Sequence, residues 1–172
     1  DDARAKDIAV HDNKIFVTGY TNDKTNVTTD KKTLAFFLHL DADGNPSLAN
    51  GEKVANLDII TKYDNSVANA IILGDDKIIY LAGETTHKQK QNAVLFKYTY
   101  NTSTSEWQRD TDFSGKARLE GSATKKYSGE DLALQSDKNI ILTGTSVDGE
   151  NKEMFVARFS VDGTLENQFG QD

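Results

Sequence analysis

The sequence predicts an all-β protein of the β-propeller type, built from three four-stranded antiparallel blades of about 60 residues each. Three observations predict it. One segment recurs, as DIAVHDNKIFVTGYT (7–21), NAIILGDDKIIYLAGET (69–85) and DLALQSDKNIILTGTS (131–146). Its anchors keep their spacing: Asp12, Asp76 and Asp137 are 64 and 61 residues apart, and so are Gly19, Gly83 and Gly144. Within each copy the apolar residues form short β-branched or aromatic runs broken by polar turns, and no stretch shows helical periodicity with caps.

The elements follow in order within each copy. A first strand ends at an Asp/Asn/Lys/Gly turn, such as GDDK (74–77) or SDKN (136–139), which reads as a hairpin. The second strand carries Ile15–Val17, Ile78–Leu81 or Ile140–Leu142 and closes on the repeat glycine. A polar loop leads to the third strand, LAFFLHL, AVLFKYTY or MFVARFSV, followed by Asp41, Asn101 or Asp162 in one slot. From glycine to slot is 22 residues in the first copy and 18 in the others, so the first loop is longer by about four. A fourth strand is expected around Val54–Ile60 and near Trp107. The repeats run approximately over 5–65, 66–126 and 127–172, within a single domain, 1–172. Three blades do not close a ring, because natural propellers have about four to eight. The chain is therefore expected to be half of a six-bladed ring completed by an identical chain, or a fragment of a longer propeller.

Blocks of the form D-x-K-I-x-x-x-G, an aromatic-rich strand, D-G-T-L and F-G resemble the delta-60 repeats of bacterial secreted and cell-surface proteins. The closest copy is SDKNIILTGTSVDGENKEMFVARFSVDGTLENQFG (136–170). The resemblance implies a propeller fold and a secreted or cell-surface location. It implies no reaction and no catalytic residues.

Composition narrows the function classes. A net charge of -7 gives no basic groove for nucleic-acid phosphates, and HKQK (87–90) and KK (125–126) are short loop charges. No apolar run approaches the roughly 20 residues of a membrane helix, so no membrane insertion is expected. The absence of cysteine removes disulfides, thiol catalysis and Cys-ligated zinc. Starting at Asp1 without a signal peptide, the sequence reads as a mature or excised chain.

DADGNPSLANGE (41–52) raises the question of calcium, because acids or oxygen donors fall at positions 1, 3, 5, 7 and 12 of a calcium loop. Position 6 must be Gly for the sharp bend, and here it is Pro46 between segments that read as strands. Asp41 also aligns with Asp162 and Asn101, where a short polar side chain after a strand caps backbone amides two residues on. The turn reading prevails. A looser surface site on Asp41, Asp43 and Asn45 is the one metal candidate left; no cofactor is expected, calcium at that site being the alternative.

His11, His39 and His87 have no metal-ligand spacing. Asp110 and Asp112 in RDTDFSG read as turn caps ahead of a blade end. Trp107 is a candidate sugar platform, weighed against packing between blades. Serine-hydrolase and phosphate-binding motifs are missing.

The expectation is therefore a non-enzymatic binding or scaffold module, with a protein or glycan partner at the propeller loops and, where the chain is half of a ring, an identical chain completing it as a homodimer. The alternatives are a polysaccharide-acting propeller hydrolase or lyase, and a spacer within a long adhesin. Convergence of Asp12, Asp76, Asp131 and Asp137 on a shared pocket with raised pKa values would favour the enzyme.

Overall fold

The computed structural model describes residues 3–11, 14–23, 32–40, 43, 65–75, 77–104 and 106–170. They form three antiparallel sheets, one per repeat. The first has the order β1 (Ala3–His11), β2 (Lys14–Asp23), β3 (Lys32–Leu40). The second has β4 (Asn65–Leu73), β5 (Ile78–His87), β6 (Lys90–Asn101) and β7 (Glu106–Arg109), with β8 (Arg118–Leu119) pairing the other end of β6. The third has β9 (Lys125–Leu134), β10 (Ile140–Asp148) and β11 (Asn151–Phe159). The all-β class and the antiparallel sheets expected from the sequence are thus present.

Four strands per sheet is realised among the described residues only in the second sheet, where β7 carries Trp107. The expected strand at Val54–Ile60 lies outside the described residues. After β11 a single bridge, Phe159 with Leu165, stands where a fourth strand would pair. One short helix, α1 (Thr111–Lys116), departs from the all-strand expectation. Asp110 starts it by accepting a hydrogen bond from the Phe113 backbone N–H at 3.0 Å. Six residues are too few to display a helical period, so the sequence pattern could not reveal it.

The second sheet is covered on both faces. Period-two alternation sends Ile71, Ile79, Leu81, Val94 and Phe96 to one side, where they pack with Phe16, Ala9 and Trp107. It sends Ala70, Tyr80, Ala82, Ala93 and Leu95 to the other, where they meet Leu132, Ile140, Leu142 and Phe159 of the third sheet. Phe113, delivered by α1, fills the second core against Tyr80 with ring centroids 5.7 Å apart. Burial on both faces explains the near-continuous apolar runs of β5 and β6.

Candidate functional site

Each first strand carries a bulge at the same place. Pairing slips between Ala5 and Asp7, between Ala68 and Ala70, and between Gly129 and Asp131, leaving Lys6, Asn69 and Glu130 as the extra residues. Opposite each bulge stands the repeat glycine, Gly19, Gly83 or Gly144. The bulge turns a backbone carbonyl of the first strand into the space a β-carbon would need. The repeat glycine and the bulge are therefore one device, and it re-aims the bulged side chain.

The three bulges bring the sheets together. Asn69 Nδ2 donates to the Gly129 carbonyl at 2.8 Å, tying the bulge of β4 to that of β9. Asp7 Oδ2 accepts from the Ile71 N–H at 2.9 Å, tying β1 to β4. Next to these ties lies a cluster of polar side chains. Glu84, immediately after the repeat glycine on β5, is half-buried and accepts from Gln91 Nε2 at 2.7 Å. Ser128 Oγ donates to Glu130 Oε1 at 2.8 Å and is within hydrogen-bonding reach of Glu84.

Burial pushes the Glu84 carboxyl above the usual carboxylate range, and the charge of Glu130 adds to this. Hydrogen bonds from Ser128 and Gln91 and the charge of Lys6 pull it down without cancelling the rise. Lys6 also lies over the Tyr20 ring, 5.9 Å from its centroid. The cluster thus draws on all three sheets. It joins an acid of raised pKa, a second carboxylate, a hydroxyl between them and a cation.

The acids singled out in the sequence are placed differently. Asp131 accepts from its neighbour's N–H on Leu132 at 2.8 Å. Asp137 caps its own turn, accepting from Asn139 N and Nδ2 at 3.1 Å each. Asp12 and Asp76 lie outside the described residues. The slot after the third strand behaves as a turn: Asn101 accepts from the Ser103 N–H at 2.9 Å, and Asp162 from the Thr164 N–H at 3.3 Å. Hydrogen bonds from Ser160 and Thr164 hold the Asp162 carboxyl below its usual range. Asp43 is exposed in a turn, while Asp41 and Asn45 lie outside the described residues. Among the described residues no group of three or more His, Cys, Asp or Glu is arranged to hold a metal ion. Trp107 lies between the first two sheets, edge-on to Phe16 at 5.5 Å and tilted against Tyr100 at 5.3 Å.

Glu84 and Glu130 belong to no recognisable sequence motif. The signal was in the repeat alignment. AKDIAV, ANAIIL and GEDLAL keep their apolar frame while the bulged residue changes from Lys6 to Asn69 to Glu130. The residue after the glycine changes likewise, from Tyr20 to Glu84 to Thr145.

No protein-family model matches the chain, and no curated protein matches it significantly. Its fold is similar to that of a mutant of the Bombyx mori GH32 β-fructofuranosidase BmSUC1 in complex with sucrose, with a TM-score of 0.50 at 10% identity. The match covers 94% of this chain and 36% of the enzyme. The BmSUC1 structure itself gives a TM-score of 0.49 at 8% identity with the same coverage. This chain therefore spans about a third of the length of the BmSUC1 structures it matches. At this identity the likeness concerns the fold. It nonetheless corrects the expectation that the chain is not an enzyme, because the shared fold is that of a glycoside hydrolase. The absence of serine-hydrolase or phosphate motifs was no ground for that expectation, since acid–base chemistry on a glycoside needs only two placed carboxyl groups.

Proposed function

We propose that the chain forms three blades of a propeller that hydrolyses glycosidic bonds, with Glu84 and Glu130 as its carboxyl pair. The observation that carries this reading is the Glu84 carboxyl: half-buried, raised in pKa, and linked through Ser128 to a second acid. Glycoside hydrolysis asks for two carboxyl groups, one with a raised pKa to serve as the acid and one ionised. Glu84 would donate its proton to the glycosidic oxygen as the bond to the anomeric carbon breaks. Glu130 would attack the anomeric carbon from the opposite side to form a glycosyl-enzyme, which water, deprotonated by the Glu84 carboxylate, would then hydrolyse to restore both carboxyl groups. Gln91 and Ser128 position the two carboxyls, and Lys6 moderates the pKa of the acid. The delta-60-like repeat supports an extracytoplasmic setting, where polysaccharide is met.

The test is release of reducing sugar from sucrose, a fructan and a panel of plant and bacterial polysaccharides. Hydrolysis is expected on at least one, with Glu84→Gln and Glu130→Gln each lowering kcat/KM by at least about 100-fold. Binding without turnover by the unaltered chain, or full activity in either variant, would sink the proposal.

A further inference from the structure

The two ends of the three-sheet stack expose the same apolar positions that the repeat buries inside it. Register equates Ile8 with Ile71 and Leu132, because each follows the bulge pair of its first strand. Ile71 and Leu132 are 7% and 8% exposed, each packed on the preceding sheet, while Ile8 is 60% exposed and its neighbour Val10 64%. At the other end, Val156 and Met154 of β11 pair with Thr143 and Thr145 as Leu95 and Ala93 pair with Ala82 and Glu84. Leu95 and Ala93 are fully buried against the third sheet, yet Val156 is 51% and Met154 85% exposed.

Two further details of the buried junction recur at the open end. Phe113 is sealed between the second and third sheets with Lys97 Nζ 5.6 Å from its ring centroid. Phe169 repeats this with Arg158 at 4.8 Å from its ring, but remains only half-buried. Asp131 occupies the position of Asp7, and Asp7 binds the backbone of the following sheet. The open end of the third sheet is thus laid out to receive a sheet whose receiving face resembles that of the second or third. The exposed Ile8 and Val10 on the first sheet form such a face.

We infer that a second copy of this chain docks there, the third sheet of each copy packing on the first sheet of the other. The two junctions are related by a two-fold axis and close a ring of six sheets, within the range of natural propellers. Closure hides four exposed apolar faces at once, which is the usual resolution of open ends in repeat arrays. It also carries Lys6 of one copy to the neighbourhood of Glu130 of the other, as Asn69 meets the bulge of β9 within one chain.

The test is molar mass by light scattering over a dilution series from about 100 to 1 μM, with far-UV circular dichroism on each variant to confirm folding. The unaltered chain is expected at twice 19.0 kDa. Ile8→Lys and Val156→Lys each place a charge in both junctions and are expected to give folded monomers, since neither residue touches the internal cores. An equimolar mixture of the two variants is expected to regain dimer at high concentration, because one of its two junctions then carries no substitution. A monomer at every concentration, open oligomers growing with concentration, or a dimer indifferent to both substitutions would each overturn the inference. The outcome is independent of any hydrolytic activity.

Discussion

Gly83 lies against Val67 so closely that a β-carbon on Gly83 would stand 2.0 Å from the Val67 carbonyl oxygen. Gly19 and Gly144 stand in the same relation to Arg4 and Ser128, at 1.9 and 2.0 Å. Three copies of the repeat thus keep glycine for one steric reason. The obstacle is backbone within a paired strand, which cannot swing aside as a side-chain tip would.

Gly83→Ala is accordingly expected to destabilise the chain by on the order of 3 kcal/mol, through forced strand separation at the bulge. Gly115→Ala supplies the control. Gly115 lies in α1 with open space around it, and alanine there should add up to about 1 kcal/mol through helix propensity. Urea unfolding of the two variants checks both signs. Equal effects would show that the close approach at Gly83 is relieved without cost.

The same bulge shows how far the sequence could be read. Fixed spacing of Gly19, Gly83 and Gly144 disclosed the repeat, the β class and the hairpins, because local sterics impose glycine wherever the chain repeats its path. The asymmetry between Lys6, Asn69 and Glu130 could not disclose a site, because each is an ordinary surface residue until the bulges bring the sheets together. Asp12, Asp76 and Asp137 recur at one position of the repeat, yet Asp137 is held by its own turn. Regular positions carry the scaffold, and the irregular ones carry the chemistry proposed for it.

Asp7 connects two sheets with one carboxylate, accepting from Ile8 N at 2.8 Å and from Ile71 N at 2.9 Å. Asp7→Ala leaves the part-buried Ile71 N–H without its acceptor and should cost about 1–3 kcal/mol. Asp7→Asn retains an acceptor oxygen and should cost clearly less. Thermal melts of the three proteins at one pH separate the hydrogen bond from the packing. A loss as large in the Asn variant would show that the charge matters more than the acceptor.

The hairpin between β5 and β6 turns through Lys88 and Gln89, both at positive φ, 48° and 66°. Left-handed backbone costs an L-residue about 1 kcal/mol, and a two-residue turn of this kind favours Gly at its second position. Gln89→Gly is therefore expected to stabilise by roughly 1 kcal/mol without altering the site, since both residues are exposed. A chemical denaturation midpoint that falls instead would show that the turn adopts another geometry in solution.

Glu84 makes stability depend on pH, and the sign follows from the direction of its shift. Burial raises the pKa of the folded form above the unfolded value, so the folded chain holds the Glu84 proton over a pH range where the unfolded chain has released it. The stability tied to this proton is complete below the unfolded carboxylate range near pH 4. It is lost as pH rises through the folded pKa. Glu84→Gln presents a neutral side chain of nearly the same shape at every pH. Its melting temperature relative to the unaltered chain should therefore change little as a function of pH below about 4, then rise and level off toward neutrality. Lys6→Met should enlarge the rise, because Lys6 is the cation that lowers the Glu84 pKa. Glu130→Gln should reduce it, because the Glu130 charge is one of the forces raising that pKa. A pH-independent difference between Glu84→Gln and the unaltered chain would mean that Glu84 titrates as an ordinary surface acid, and its assignment as the proton donor would go with it.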